Sequence, residues 1–222
     1  MTVVDTDGSQ LICPTVLVTV LDAKLTALAV SALSGVEGQE INARVARFSD
    51  ININAPASEF VASISWGDGS EPSAGIVGPF GPLGEFEVTG RHIYVEEGTY
   101  HIVVTIRDEG GSTLVMPVLV ATISDAALTL LRVPPIAAIE GVPLVDFLIA
   151  QFTDANLHAT AADFTATVTT WGESSPIPVR ATVVQRGPGA FDVLVSLRGG
   201  AGLLLVGWLD GWFVGRSVCL IG

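Results

Sequence analysis

Apolar residues in this chain recur at every second position over short stretches. In one stretch they fall at Phe60, Ala62, Ile64 and Trp66, and a second stretch, 100–106, has the same period. A period of two places successive side chains on opposite faces of a strand, so one face of each strand is expected to be buried. Clusters of glycine, proline and acidic residues separate these stretches, and no stretch combines helix caps with an apolar stripe of helical period. The pattern predicts an all-β protein.

The second half of the chain repeats the first at an offset that grows only from 103 to 105 residues. The matched pairs are Gly8-Ser9 with Gly111-Ser112, Asp22-Ala23 with Asp125-Ala126, Leu25-Thr26 with Leu128-Thr129, Glu37-Gly38 with Glu140-Gly141, Phe48-Ser49-Asp50 with Phe152-Thr153-Asp154, and Trp66-Gly67-Asp68 with Trp171-Gly172-Glu173. Such a small drift is typical of tandem copies with single-residue loop insertions. We therefore predict repeats at 25–124 and 125–222, the second divergent after position 196, preceded at 1–24 by the C-terminal strands of another repeat.

Each repeat has the length and the strand spacing of an antiparallel β-sandwich. The motifs that carry a family resemblance are Trp66-Gly67-Asp68-Gly69, His92-Ile93-Tyr94, Gly98-Thr99-Tyr100 and Asp108-Glu109-Gly110-Gly111. They resemble the PKD-type immunoglobulin-like domain, in the tandem form that is similar to repeats of large bacterial surface proteins. The resemblance covers nearly all of the first repeat and much of the second. It implies an Ig-like sandwich that acts as an extracellular spacer or adhesive module.

The residues of these motifs have structural interpretations. Glu96, Gly98 and Tyr100 have the spacing of a tyrosine corner, in which the phenol hydroxyl ties the start of strand F to upstream backbone. Trp66 is expected to fill the space between the sheets, and Asp68 to form the turn that leaves strand C. A catalytic role for Asp68 is the less favoured alternative.

The second repeat departs from this pattern at its tryptophan. Phe60 and Trp66 are six residues apart, whereas Phe164 and Trp171 are seven apart. Because one extra residue turns a side chain to the opposite face of a strand, we predict a β-bulge between Thr167 and Trp171.

The sequence gives no sign of catalytic chemistry. His92 and Tyr94 belong to a repeat motif, while His101 and His158 are scattered along the chain, and no spacing brings a nucleophile and a base together. We expect a protein that is not an enzyme.

Calcium is the one metal for which the sequence offers candidate ligands. Asp22 of the linker, Asp50 and Asn52 of the B–C loop, and Asp108 and Glu109 of the F–G loop are all expected at the end of the sandwich where the chain enters. Oxygen ligands crowded at a junction suit a hard divalent cation. The alternative is that these residues are ordinary turn formers and solvated charges that keep an apolar chain soluble.

Charge restricts the partners of the chain. It carries 10 Lys and Arg against 23 Asp and Glu, a net charge of −13, which excludes binding to nucleic acid backbones. A membrane is a partner only if the glycine-rich tail at 199–222 is an anchor, which Asp210 and Arg216 argue against. Degenerate strands F and G, or a truncated or frame-shifted end, are the other two interpretations of that tail. Cys13 and Cys219 show no metal-type spacing.

These observations predict a structural spacer or adhesion stalk from a larger exported or cell-surface bacterial protein. Its partners would be neighbouring repeats of the same chain and, beyond them, a cell-surface protein or polysaccharide. No export signal opens the sequence. The alternative function is an accessory carbohydrate- or protein-binding module of a secreted hydrolase.

Overall fold

A computed structural model of the chain describes residues 2–12, 17–137, 139, 142–168, 179–197, 210–214 and 217–221. The strands are β1 (Thr2–Val4), β2 (Gln10–Ile12), β3 (Leu25–Leu28), β4 (Leu33–Val36), β5 (Glu40–Asp50), β6 (Phe60–Ser65), β7 (Ser73–Pro79), β8 (Glu85–Ile93), β9 (Gly98–Asp108), β10 (Thr113–Val115), β11 (Leu119–Ser124), β12 (Leu128–Arg132), β13 (Leu144–Asp154), β14 (Thr165–Val168), β15 (Val179–Gly187), β16 (Ala190–Leu197), β17 (Asp210–Val214) and β18 (Ser217–Ile221). Short 3-10 turns at Ala57–Glu59 and Ala161–Asp163 precede β6 and β14. The fold is all-β, in two Ig-like sandwiches that follow one another along the chain.

The first sandwich contains β3 to β11, in the order β3-β5-β8-β7-β6-β9-β11-β4, with β10 paired to β9. Strands A, B and E of an Ig-like domain correspond to β3, β5 and β8, while β6, β9, β11 and β4 correspond to C, F, G and A′. Strand β7 pairs with β6 through its first residues and with β8 through its last ones, so it crosses from one sheet to the other. The crossing passes over Gly75, where an added β-carbon would overlap Val88.

The core of the first sandwich shows the period of two on which the sequence prediction was based. Phe60, Ala62, Ile64 and Trp66 are buried, and the residues between them on β6 are exposed. Three phenylalanines pack together beside them: the ring centroids of Phe48 and Phe60 are 5.1 Å apart, those of Phe48 and Phe86 5.2 Å, and those of Phe60 and Phe86 4.7 Å. The core is therefore built where large apolar side chains from both sheets meet.

The second sandwich, β12 to β18, repeats this core. Its strand order is β12-β13-β16-β15-β14-β18-β17, so its first five strands follow the order of β3, β5, β8, β7 and β6. Phe152, Phe164 and Phe191 stand in the places of the three phenylalanines, with centroid distances of 5.1, 5.2 and 4.6 Å. The repeat in sequence is thus a repeat in packing.

The two sandwiches differ beside strand C. In the first, β6 pairs with β9 antiparallel, as strands C and F of an Ig-like domain do. In the second, β14 pairs with β18 in parallel, and β17 lies antiparallel outside β18. Degenerate strands F and G were one of the three interpretations of the tail, but the strand beside β14 runs in the direction opposite to strand F. The β-bulge predicted before Trp171, and Trp171 itself, lie outside the described residues.

The N-terminal hairpin, β1 with β2, is exposed on both faces. Residues 17–24 follow it without strand structure, and Leu17, Val18, Val20 and Leu21 are exposed. Hydrogen bonds join the end of this segment to the first sandwich, where Asp22 and Ala23 accept from Ser112.

Candidate functional site

Trp66 lies in a cluster of rings at one end of the first sandwich. Its indole N–H donates to Ser73 Oγ at 2.9 Å, and its backbone carbonyl accepts a hydrogen bond of 3.0 Å from the buried hydroxyl of Tyr94. The ring of His92 stacks on the indole, with centroids 4.7 Å apart and an interplanar angle of 7°. Trp66 directly follows β6, His92 lies on β8 and Tyr94 directly follows β8, so the cluster ties the two sheets together.

Asp68 holds the imidazole of His92 in this position. Its Oδ2 lies 2.6 Å from His92 Nε2, and its Oδ1 accepts from the backbone N–H and the hydroxyl of Ser70. Burial raises the pKa of the Asp68 carboxyl, but the hydrogen bonds of Ser70 and His92 outweigh it, so that its pKa lies below the ordinary value. Gly67 begins this turn at φ +84°, with no room for a β-carbon beside His101. Asp68 therefore fixes the imidazole ring of His92 against the indole of Trp66. The sequence analysis did not connect Asp68 with His92.

Tyr100 forms the corner that its spacing predicts. Its hydroxyl donates to the Glu96 carbonyl at 2.8 Å, and its ring stacks on Tyr94 with centroids 4.2 Å apart. Burial raises the pKa of both phenols. Gly98, between them, has φ +153°. The E–F loop, residues 94–97, is therefore anchored at both ends by stacked tyrosines.

The structure places the candidate calcium ligands of the sequence in the linker, at the B–C loop and at the F–G turn. Asp22 Oδ2 accepts from the Ser112 N–H at 2.7 Å, and this bond holds the Asp22 pKa below its ordinary value. Ser112 lies in the F–G turn, residues 108–112, where Asp108 Oδ1 accepts from the Gly110 N–H. The linker is thus attached to the F–G turn through Ser112.

The other candidates act within the backbone of their loops. Asp50 is buried, and its Oδ1 accepts from the N–H of Asn52 at 2.8 Å in the B–C loop, residues 51–59. Glu109 donates its backbone N–H to the Glu59 carbonyl. These contacts are those of turn formers.

Among the described residues, three carboxylates converge at the end of the first sandwich that lies opposite the B–C loop and the F–G turn. One oxygen each of Glu37, Glu97 and Asp125 lies within 4.8 Å of the others. Glu37 is buried at the end of β4, and its carboxylate accepts a 3.4 Å hydrogen bond from the N–H of Ala126. Three oxygens at this separation are a set that a hard cation can bind. In the sequence, Glu37 stood out only because Glu37-Gly38 recurs as Glu140-Gly141, and that match was used only to find the repeat offset.

The second sandwich meets the first through Asn156. This side chain is 1% exposed, and its Nδ2 donates to the Val95 carbonyl of the E–F loop at 2.8 Å. Gly38 covers it from the turn between β4 and β5: at φ +71°, an added β-carbon would overlap the Asn156 amide. We call the contact of Asn156 with Gly38 and Val95, together with the buried linker residue Ala126 that donates to the neighbouring Glu37, the junction. It joins loops of two sandwiches into one interface, which sequence reasoning did not find.

The described residues contain no helix of the length and apolarity needed to cross a membrane.

Comparison with known proteins gives structural likeness without a family. No family model matches the chain, and no curated protein matches it significantly. Among solved structures, it is similar to the PKD domain of an M14-like peptidase from a Thermoplasmatales archaeon, with 21% identity, 46% of this chain and 92% of that chain covered, and a TM-score of 0.29.

Two other similar structures are parts of longer proteins. The ectodomain fragment D1–D4 of ICAM-5 is 16% identical, with 82% of this chain and 48% of that chain covered and a TM-score of 0.30. A Bacteroides ovatus protein of a mixed-linkage glucan utilization locus, solved with a heptasaccharide, is 10% identical, with 87% and 42% covered and a TM-score of 0.27. The chain thus spans less than half the length of these two.

Proposed function

We propose that this chain is a stretch of rigid Ig-like spacer modules from a larger exported or cell-surface bacterial protein, and that it serves as an adhesion stalk without catalytic activity. Its task is mechanical: each sandwich buries its own core, and the reach of the protein grows with the number of sandwiches. A spacer of this kind needs a fixed angle between neighbours. The junction is the observation that carries the proposal.

The contacts of Asn156 support a fixed angle because they are directional and buried. The hydrogen bond to Val95 constrains the approach of the two loops, and breaking it would leave a buried amide without its acceptor. Gly38 fits against the same amide without a side chain. An interface held only by solvated charges would allow more rotation.

The linker is short and bonded on both sides. Only residues 125–127 separate β11 from β12. Directly before them, the Ser124 hydroxyl donates to the Gly35 carbonyl, and at their end the Ala127 carbonyl accepts from the N–H of Ala155. A linker this short, hydrogen-bonded at both ends, restricts the orientation of the second sandwich relative to the first.

The test is the distance between spin labels on the two sandwiches in the full chain. Cysteines introduced at the exposed positions Val61 and Val184, with Cys13 and Cys219 replaced by serine, carry the labels. We expect one narrow distance distribution, and a broad one after a Gly/Ser insertion behind Asp125. A distribution equally broad in both chains would refute the stalk. Polysaccharide binding by the full chain on a glycan array would favour the accessory binding module instead.

Calcium belongs to this proposal as a stabiliser of the junction. Glu37, Glu97 and Asp125 bring three negative charges together next to the linker, and a divalent cation would relieve their repulsion. Calorimetric titration with calcium chloride should show binding at about millimolar concentration, the range of extracellular modules. Binding should be lost in Glu97→Gln and kept in Asp108→Asn, which alters an acid of the F–G turn. No heat of binding in the unaltered chain would end the calcium hypothesis.

A further inference from the structure

The B–C loops of the two sandwiches have the same pattern of hydrogen bonds. Asp154 accepts from the N–H of Asn156 at 2.7 Å, as Asp50 accepts from the N–H of Asn52 at 2.8 Å. In each loop the asparagine Oδ1 then accepts from the N–H two residues later, at 3.0 Å for Asn156 and 3.2 Å for Asn52. The first aspartate of each loop also donates its N–H to a glycine carbonyl, that of Gly189 or Gly84.

The two asparagines differ in what covers them. Asn156 is buried, because Gly38 and the Val95 carbonyl of the preceding sandwich lie against it. Asn52 is exposed. The linker residues show the same contrast: Ala126 is buried at the junction, and its counterpart Ala23 is only half-buried. The first sandwich therefore presents, at its chain-entry end, a loop shaped for a contact that only the second sandwich makes within this chain.

Residues 2–12 have the geometry of an F–G hairpin, as expected if another sandwich precedes the first one. β1 pairs with β2 as Thr2↔Ile12, Val3↔Leu11 and Val4↔Gln10, and 103 residues later β9 pairs with β10 as Thr105↔Val115, Ile106↔Leu114 and Arg107↔Thr113. The turn bonds also correspond: Asp5 N–H to Ser9 carbonyl at 2.8 Å matches Asp108 N–H to Ser112 carbonyl at 2.9 Å. The register of a whole hairpin is reproduced.

The segment that follows corresponds to strand G. Val18 and Val20 occupy the positions of Ala121 and Ile123 at the same offset of 103 residues. Ala121 and Ile123 are buried in the first sandwich, whereas Val18 and Val20 are 74% and 88% exposed. This segment therefore has the apolar side chains of strand G without the strands that cover them.

We propose that the chain-entry end of the first sandwich docks onto the opposite end of a like sandwich, the one to which residues 2–24 belong, with Asn52 as the docking side chain. Asn52 Nδ2 then donates to the carbonyl of the residue equivalent to Val95, and lies against the glycine equivalent to Gly38. This inference rests on the proposed function as a modular stalk. It adds a partner for the chain-entry end of the first sandwich, which the proposed function leaves without one.

The experiment uses a three-sandwich chain, residues 1–127 joined to residues 25–222, so that the second copy of Asn52 faces Val95 and Gly38 of the first copy. We expect the side-chain amide protons of this inner Asn52 to exchange about tenfold more slowly than those of the outer copy, the factor that one buried hydrogen bond gives. In the two-sandwich chain, only Asn156 should show that protection. Equal exchange at the inner and outer Asn52 would overturn the proposal.

Asn→Asp variants provide the matched controls, since aspartate keeps the Oδ1 acceptor of the loop and lacks the Nδ2 donor. Asn52→Asp at the inner copy should broaden the spin-label distance distribution across its junction, and the same change at the outer copy should not. Asn156→Asp should broaden the distribution in the two-sandwich chain. If Asn156→Asp broadens the distance distribution and inner Asn52→Asp leaves it unchanged, the docking inference fails and the proposed stalk function is retained. If the unaltered two-sandwich chain is already broad, the stalk itself fails.

Discussion

The two sandwiches agree in one sheet and differ in the other. Around the phenylalanines, strands A, B and E pair in the same register: Leu25 faces Asp50 and Phe48 faces Phe86 in the first, while Leu128 faces Asp154 and Phe152 faces Phe191 in the second. The strand beside C is antiparallel β9 in the first and parallel β18 in the second. What the repeat preserves is the sheet of strands A, B and E, which carries two of the three phenylalanines of each core, together with the B–C loop that follows strand B.

The shared half is also the half that makes the junction from the second sandwich. Asp154 is the last residue of β13 and Asn156 lies two residues beyond it, so a sandwich that keeps strands B and E in register also keeps the docking loop. The first sandwich contributes the other side of the junction from its E–F loop, which its two stacked tyrosines anchor. A sandwich with a different second sheet can therefore still make the junction with the sandwich before it.

The largest effect is expected from truncating equivalent phenylalanines. Phe48→Ala and Phe152→Ala each remove a fully buried ring with two aromatic neighbours, at a cost of about 3–5 kcal/mol of unfolding free energy. Peptide-resolved hydrogen exchange in denaturant should place each loss in its own sandwich. Val61→Ala, at an exposed position of β6, is the control. Loss of protection in both sandwiches from either variant would show that they do not fold as separate cores.

The fold was predictable because burial follows a period of two. Alternation identified the buried face of β6, and the offset of 103 to 105 residues identified the second sandwich, including its phenylalanines. The crossing of β7 between sheets was not predictable, since it depends on the fit of Gly75 against Val88. The parallel β18 was not predictable either, because its sequence has no counterpart in the first sandwich.

A smaller effect should separate the sandwiches more sharply. Tyr94→Phe removes the buried hydroxyl that donates to the Trp66 carbonyl and leaves that carbonyl without its donor. We expect the first sandwich to lose about 1–3 kcal/mol of unfolding free energy. The second sandwich should be unaffected, as judged from its own hydrogen exchange. An equal loss in both would mean that the ring cluster stabilises the second sandwich through the E–F loop.

The candidate site was less predictable than the fold, for a geometric reason. Asp68 and His92 are 24 residues apart, and Asn156 and Val95 are 61 apart, on elements that only the folded sheets bring together. The tyrosine corner spans four residues, so its spacing alone indicated its hydrogen bond. Sequence reasoning placed candidate acids at the chain-entry end, whereas Glu37 and Glu97 converge at the other end through the turn after β4 and the E–F loop.

The smallest effect expected is on acid stability, through Asp68. Its pKa in the folded protein lies below the ordinary 3.8, so the fold favours the ionised carboxylate. The resulting stability is complete above that ordinary value and is lost as the pH falls through the folded pKa. Because the side chain is partly accessible to solvent, the contribution is expected to stay below about 1 kcal/mol.

Asp68→Asn isolates this contribution. The variant should show a flatter dependence of unfolding free energy on pH than the unaltered first sandwich as the pH falls below 3.8, as followed by urea titrations at fixed pH. Asp192→Asn alters an acid of the second sandwich, which lies 3.4 Å from Arg186, and should leave the acid profile of the first unchanged. If Asp68→Asn and the unaltered chain lose stability in parallel, the carboxylate merely orients His92 against Trp66. The acid sensitivity of the first sandwich then has to arise from other groups.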